Sequence, residues 1–99
     1  MVNQGEGMLD ASSIVRRSDR QVSCDLNGEA AILQLDQAVY FGLKGVGAHV
    51  WARLEQPQSI ADLRRSVCAE FEIEASRCEA DLLDFLSELQ RAGLVEIAR

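Results

Sequence analysis

The hydrophobic pattern of the chain changes its period once, at Leu43. Before that residue apolar side chains alternate with polar ones, as in half-buried strands, and after it they recur about every 3.6 residues, as in helices with one buried face. The pair Asn27 and Gly28 interrupts the alternating part and favours a two-residue hairpin turn, since both residues readily adopt positive φ. This order predicts an α+β, winged helix-turn-helix-like fold, with a three-stranded antiparallel sheet followed by three helices.

The predicted strands cover residues 21–26, 29–35 and 39–43. In the second, Ala31, Leu33 and Leu35 share one face. The third, VYFGL, has no Pro or Lys in its middle, and no later segment of clear strand character covers its outer edge. We therefore expect this strand to end the sheet with unpaired backbone groups.

Helices are predicted from about residue 46 to 56, from 60 to 71, and from a capping box at Ser76 and Glu79 to Gly93. Ser59, followed by Asp62, is the expected cap of the second helix. Residues 94–97 fit either a short closing strand or a segment folded back on the core. The third helix has a wider apolar face than one sheet needs, so we expect the surplus to line a groove beside the third strand.

Length and charge limit the function classes. A chain of 99 residues forms one domain, which we place at 19–99 after a flexible tail at 1–18. The formal charge of −6 argues against nucleic acid or an anionic membrane as the main partner. Without a long apolar run or a secretion signal, we expect a cytoplasmic protein. The odd number of cysteines indicates reduced thiols, with Cys24 and Cys78 as small buried side chains.

Catalytic chemistry is hard to place in this chain. His49 is the only histidine and is predicted to lie on the surface, and no nucleophile, phosphate-binding or zinc motif occurs. We therefore expect no enzymatic activity, no cofactor and no metal. Asp81, Asp84 and Glu88 share one arc of the third helix, which is more typical of a solvated face than of a cation site. Two alternatives stay open: a winged-helix DNA-binding regulator, which the acidic third helix disfavours, and an enzyme with an acidic metal site on that helix.

An exposed strand edge beside an apolar groove is the arrangement that binds an extended peptide by β-strand addition. Main-chain hydrogen bonds would supply affinity, and alternate side chains of the peptide would enter the groove. The same surplus apolar surface also fits contact with the N-terminal tail or with a second copy of the chain in a homodimer.

Three strings carry a resemblance to a known family: LQLDQAVYFGLKGVGAHVW (33–51), SIADLRRSVCAEFEI (59–73) and CEADLLDFLSELQRAGLVEI (78–97). Together they resemble the PqqD family, small RiPP recognition elements of pyrroloquinoline quinone (PQQ) and lasso-peptide biosynthesis. The chain departs from the family where 37–39 replace a glycine before the aromatic pair, and at Lys44, which replaces an asparagine.

The resemblance implies a non-catalytic domain that binds the leader of a ribosomally made precursor peptide on the third strand, beside the third helix. It also implies a modifying enzyme as partner, either a radical SAM enzyme or a leader peptidase with a cyclase, and we favour the lasso-type members. Carried over to this chain, the peptide contacts are Val39, Tyr40, Phe41, Gly42, Leu43, Cys78, Asp81, Leu82, Phe85, Glu88 and Leu89.

Overall fold

The computed structural model describes residues 10–98 and contains two antiparallel sheets and three helices. In chain order the elements are β1 (Ile14–Arg17), β2 (Gln21–Leu26), β3 (Glu29–Gln34), β4 (Val39–Leu43), α1 (Gly45–Arg53), β5 (Gln58–Ser59), α2 (Ile60–Phe71), α3 (Ala75–Arg91) and β6 (Val95–Ala98). Strands β2, β3 and β4 form the meander sheet, and β5, β1 and β6 form the terminal sheet, each in that order. The predicted α+β class is confirmed.

The meander sheet follows the sequence pattern closely. Asn27 and Gly28 form the turn between β2 and β3 with φ of 56° and 83°. The register places Val22 opposite Leu33 and Leu33 opposite Tyr40, so these three side chains form one row across the sheet. Because side chains alternate between faces, the next row, centred on Ile32, lies on the other side.

The apolar face of β3 that the sequence pattern indicates, with Ala31, Leu33 and Leu35, lies away from the core. Ile32 is fully buried and Gln34 is 5% exposed, whereas Leu35 is 42% exposed. Gln34 tolerates burial because its side chain is hydrogen-bonded: Oε1 accepts from the Gln37 amide at 2.9 Å, and Nε2 donates to Asp36 Oδ2 at 3.3 Å. A polar residue that stabilises the following loop thus occupies a core position.

The helices begin and end near their predicted limits, with one exception. Ser59 caps α2 by accepting a hydrogen bond from the Asp62 amide at 3.0 Å. The capping box predicted at Ser76 is wrong, since α3 already begins at Ala75. Glu79, the other member of that box, lies 3.5 Å from the guanidinium of Arg64 on α2. After α3 the chain reverses at Gly93, which has the positive φ expected of a helix terminus.

The terminal sheet corrects the predicted tail, whose residues 1–9 lie outside the described part of the chain. Residues 14–17 form β1, the central strand of this sheet, and Val15 is fully buried. Upstream, the carbonyls of Ala11 and Ser13 accept hydrogen bonds from the first amides of α2. The segment IVRR has no clear period, and its partners β5 and β6 are distant in sequence, which explains why it resembles a tail. The closing strand is confirmed as β6, paired with β1.

Two single-residue predictions are also wrong. Cys24 is exposed, because it lies on the face of β2 opposite to the helices; Cys78 is buried as expected, and all three cysteines are free thiols. His49 is partly buried because α2 covers that side of α1. Its Nε2 lies 2.7 Å from Ser66 Oγ, and its ring meets that of Phe71 edge-on at 5.4 Å.

Candidate functional site

Strand β4 is an edge of the meander sheet, and within residues 10–98 no strand pairs with its outer side. Its side chains alternate: Phe41 and Leu43 pack against the core, whereas Tyr40 is 72% exposed on the opposite face. Every second residue of an edge strand directs its N–H and C=O away from the sheet. Strand β4 therefore presents unpaired donors and acceptors along one side.

A cavity of about 350 Å³ lies beside the end of β4, between the start of α1 and helix α3. We call it the α3 groove. Five of the residues predicted to contact a peptide line it together: Leu43, Cys78, Asp81, Leu82 and Phe85. The prediction that α3 has apolar surface left over for a groove agrees with this geometry, since Phe85 is only partly buried.

The other six predicted residues lie outside the lining of the groove. Val39, Tyr40, Phe41 and Gly42 are on β4, whose edge approaches the groove at Leu43. Glu88 is exposed further along α3, and Leu89 is 4% exposed within the core. Leu89 is therefore a packing residue in the described chain, rather than part of the groove wall.

Five lining residues were not predicted as contacts: Lys44, Val46, Gly47, Val67 and Ile73. Of these, Gly47 has the clearest structural role, because a Cβ built there would lie 3.3 Å from Phe85 Cζ and 3.7 Å from Leu43 Cβ. Glycine therefore permits α1 to approach the ring of Phe85. The sequence signals were weak: Ile73 is one apolar residue between two glutamates, and Val67 reads as ordinary core.

Charge at the groove is confined to one cation and one anion, Lys44 and Asp81. Asp81 Oδ2 lies 3.7 Å from Arg77 Nε one turn earlier on α3. Both side chains of this ion pair are more than two-thirds exposed, so it contributes little to stability. The remaining lining side chains are apolar or small, which suits an apolar side chain of a ligand.

Cys78 forms part of the groove wall as a neutral thiol. Burial, together with the neighbouring thiol of Cys68, raises the pKa of Cys78 to about 11. Its Sγ lies 3.9 Å from the carbonyl oxygen of Arg64. At neutral pH this side chain is therefore protonated and acts as a small hydrophobic group, since the thiolate is the nucleophilic form.

The loop before β4 contains a residue other than glycine with a positive φ. Ala38 adopts a φ of 56°, in the left-handed region that costs an L-residue about 1–2 kcal/mol. The side chain of Ala38 is exposed, so this cost comes from the backbone conformation and not from crowding of the side chain.

The family is decided by a comparison of sequence models. The model of coenzyme PQQ synthesis protein D (PqqD) matches residues 29–95, which include β3, β4, all three helices and the whole α3 groove. The chain belongs to the PqqD family. No match is found among curated proteins.

Two solved structures share this fold. The structure described as TbiB1 in complex with the TbiA(beta) leader peptide has a TM-score of 0.78 and 34% sequence identity, over 82% of this chain and 94% of that one. The lasso peptide synthetase B1 complexed with the leader peptide has a TM-score of 0.73 and 21% identity, over 83% and 96% of the two chains. At that lower identity the second structure supports the fold alone.

Two kinds of feature are absent from residues 10–98. No helix in this part of the chain is long and apolar enough to cross a membrane. Over the same residues, no three His, Cys, Asp or Glu side chains are grouped as metal ligands would be.

Proposed function

We propose that this PqqD-family chain is a non-catalytic adaptor that binds the leader segment of a ribosomally synthesised precursor peptide by β-strand addition. The observation that carries the proposal is the unpaired edge of β4 beside the apolar α3 groove. An added strand would lie about 4.8 Å from β4 and exchange main-chain hydrogen bonds with it. Every second side chain of that strand would turn toward α3.

The groove supports specificity in this arrangement. Leu82 forms part of its floor and is almost fully buried, whereas Phe85 is only partly buried and lies at the wall. A leader side chain that enters would cover the exposed part of the Phe85 ring and remove apolar surface from water. Lys44 and Asp81 lie where they can select for charge on the flanking residues.

The pathway that fits best is lasso-peptide biosynthesis. A lasso peptide synthetase B1 that is complexed with a leader peptide has the same fold, and TbiB1, which is 34% identical to this chain, is also in complex with a leader peptide. On this basis the partner enzyme would be a leader peptidase with its cyclase, acting in the cytoplasm, rather than the radical SAM enzyme of PQQ synthesis. Beyond the leader peptide itself, these partners are inferred from the family.

The comparisons give no support to the alternative of a DNA-binding regulator. Helix α3, which would be the recognition helix, has four acidic residues, Glu79, Asp81, Asp84 and Glu88, against Arg77 and Arg91. Phosphate contacts require the opposite sign. We therefore propose peptide binding and not DNA binding.

Paired proline substitutions in β4 test the proposal. Adjacent residues of a strand direct their N–H groups to opposite sides, so one of Tyr40→Pro and Phe41→Pro removes an outward amide and the other an amide bonded to β3. Circular dichroism identifies which variant keeps the fold. We expect the folded variant to lose binding of the leader peptide of the precursor encoded beside the gene, measured by fluorescence anisotropy.

Tyr40→Ala is the matched control, because it keeps the amide and removes only an exposed side chain. It should bind nearly as the unmodified chain does. Normal binding by the folded proline variant would contradict strand addition. If the chain forms a homodimer through β4, the leader peptide should dissociate it, because both use the same strand edge.

A further inference from the structure

Lys44 is the only lysine of the chain, and it directly follows Leu43, the last residue of β4. It is exposed, and it lines the α3 groove together with Leu43. Within residues 10–98 it forms no salt bridge, whereas five of the arginines do. In a chain with a formal charge of −6, the groove thus has an uncompensated cation at the end of the strand that would receive the leader peptide.

The two walls of the α3 groove differ in charge. Residues 43–47 of β4 and α1 form one wall, which carries Lys44, and neither this wall nor the first turn of α1 contains an acidic residue. The other wall belongs to α2, α3 and the segment between them, where a glutamate lies on either side of Ile73. Asp81 lines that wall and is paired with Arg77, so it does not compensate Lys44. A strand added to β4 would lie along the positive wall.

The hydrogen-bond register identifies the backbone groups of β4 that an added strand would use. The amide of Leu35 donates to the carbonyl of Arg20, so the odd-numbered residues of β3 bond to β2 and its even-numbered residues bond to β4. The residues of β4 opposite the even-numbered ones are Val39, Phe41 and Leu43. Tyr40 and Gly42 therefore direct their N–H and C=O groups outward, where an added strand would pair with them.

This register also determines which leader residues meet the groove and Lys44. Beside the leader residue bonded to Gly42 lies one opposite Leu43, and directly opposite residues of paired strands share a face of the sheet. The residue opposite Leu43 therefore turns toward the α3 groove. The backbone of Lys44 is still extended, with φ of −133° and ψ of 167°, so the next leader residue lies opposite Lys44. In antiparallel pairing, the more stable arrangement, that residue precedes the groove residue in the leader sequence.

We propose that Lys44 selects leader peptides that have Asp or Glu immediately before the apolar residue that enters the α3 groove. A carboxylate opposite the ammonium group forms a cross-strand ion pair, whereas Lys or Arg at that position would be repelled. The proposal rests on strand addition at β4, proposed above, and adds the class of leader that this chain accepts. Asparagine, which the family pattern has in place of Lys44, would not supply this charge.

The test combines variants of the chain with variants of the leader peptide of the precursor encoded beside the gene, and binding is measured by anisotropy at low salt. Lys44→Gln should weaken binding about threefold, the scale of an exposed ion pair. The matched control is Arg53→Gln, which removes an exposed cation at the other end of α1 and should bind as the unmodified chain does.

In the leader, each Asp and Glu is replaced in turn by Asn or Gln. One replacement, directly before an apolar residue, should weaken binding to the unmodified chain by the same factor and binding to Lys44→Gln no further. Lysine at that leader position should restore the affinity of Lys44→Glu. Because the chain has one lysine, carbodiimide coupling should join the leader carboxylate to a single side-chain amine, which mass spectrometry locates.

Three results would overturn the proposal: equal losses in Lys44→Gln and Arg53→Gln, additive effects of the chain and leader substitutions, or tight binding of a leader without an acidic residue at that position. Each of these requires that the unmodified chain binds the leader. If the unmodified chain does not bind it at all, the adaptor function itself is refuted, so the two failures are distinguishable.

Discussion

Replacing Gly47 by alanine tests the role of the α3 groove in leader binding separately from the stability of the fold. Gly47 is the third residue of α1, and its added Cβ would lie 3.3 Å from Phe85 Cζ and 3.5 Å from Cε1. The distance to Cζ is shorter than ordinary van der Waals contact, so the ring must move by a few tenths of an ångström. Because Phe85 is only partly buried, it can yield toward the α3 groove.

The two effects on folding oppose each other. Alanine in place of glycine within a helix stabilises it by up to about 1 kcal/mol. Overpacking costs about 1–3 kcal/mol, and the partly buried Phe85 ring, which has room to shift, places Gly47 at the low end of that range. The free energy of unfolding should therefore change by less than about 2 kcal/mol. The added methyl group and the shifted ring leave less space for a leader side chain in the α3 groove. We therefore expect the affinity for the leader peptide to fall roughly tenfold, which is about 1.4 kcal/mol.

Gly42→Ala is the matched control for Gly47→Ala. A Cβ at Gly42, on the face of β4 away from the groove, meets no atom within 4 Å. Chemical denaturation and anisotropy with the leader peptide measure stability and binding for both variants. If Gly47→Ala binds the leader as tightly as Gly42→Ala while both remain folded, the α3 groove does not receive a leader side chain.

Three other substitutions give further predictions. Phe85→Ala should weaken leader binding by about 2 kcal/mol by anisotropy, the scale of a hot spot, while circular dichroism shows the fold retained. Ala38→Gly should raise the free energy of unfolding by about 0.5–1 kcal/mol in urea, because the left-handed φ is relieved. Hydrogen bonds from Arg20 and Gln34 lower the pKa of Asp36 below its ordinary value of 3.8. These hydrogen bonds therefore stabilise the folded state above about pH 3.8, and this contribution is lost as the pH falls through the lowered pKa. Thermal melts from about pH 6 to pH 2 should show a larger acid-induced loss for the unmodified chain than for Asp36→Asn.

The strands and helices that were predicted correctly are those whose signals are local. The Asn27–Gly28 turn, the Ser59 cap and the terminus at Gly93 each depend on the conformational preference of one or two residues. Strand β1 was missed because its stability comes from β5 and β6, more than 40 positions away along the chain. The periodicity of β3 does not reveal which face is buried, because the polar Gln34 occupies a core position through its hydrogen bonds.

Some residues of the candidate site could likewise be predicted from local sequence signals, and others could not. The period of α3 predicted that Leu82 and Phe85 share an apolar face, and the structure brings both to one groove. The same period could not distinguish Leu89, which faces the core, from residues that face the groove. The role of Gly47 depends on the approach of α1 to α3, which only the tertiary structure supplies.

Amide hydrogen exchange in β4 tests the central claim most directly. Residue-resolved exchange of Val39–Leu43 is measured by NMR with and without the leader peptide at saturating concentration. The account predicts that the amides on the outer side of β4 become protected when the peptide binds, while the alternate amides, already bonded to β3, change little. Saturating binding that leaves exchange of the outer amides unchanged would contradict it.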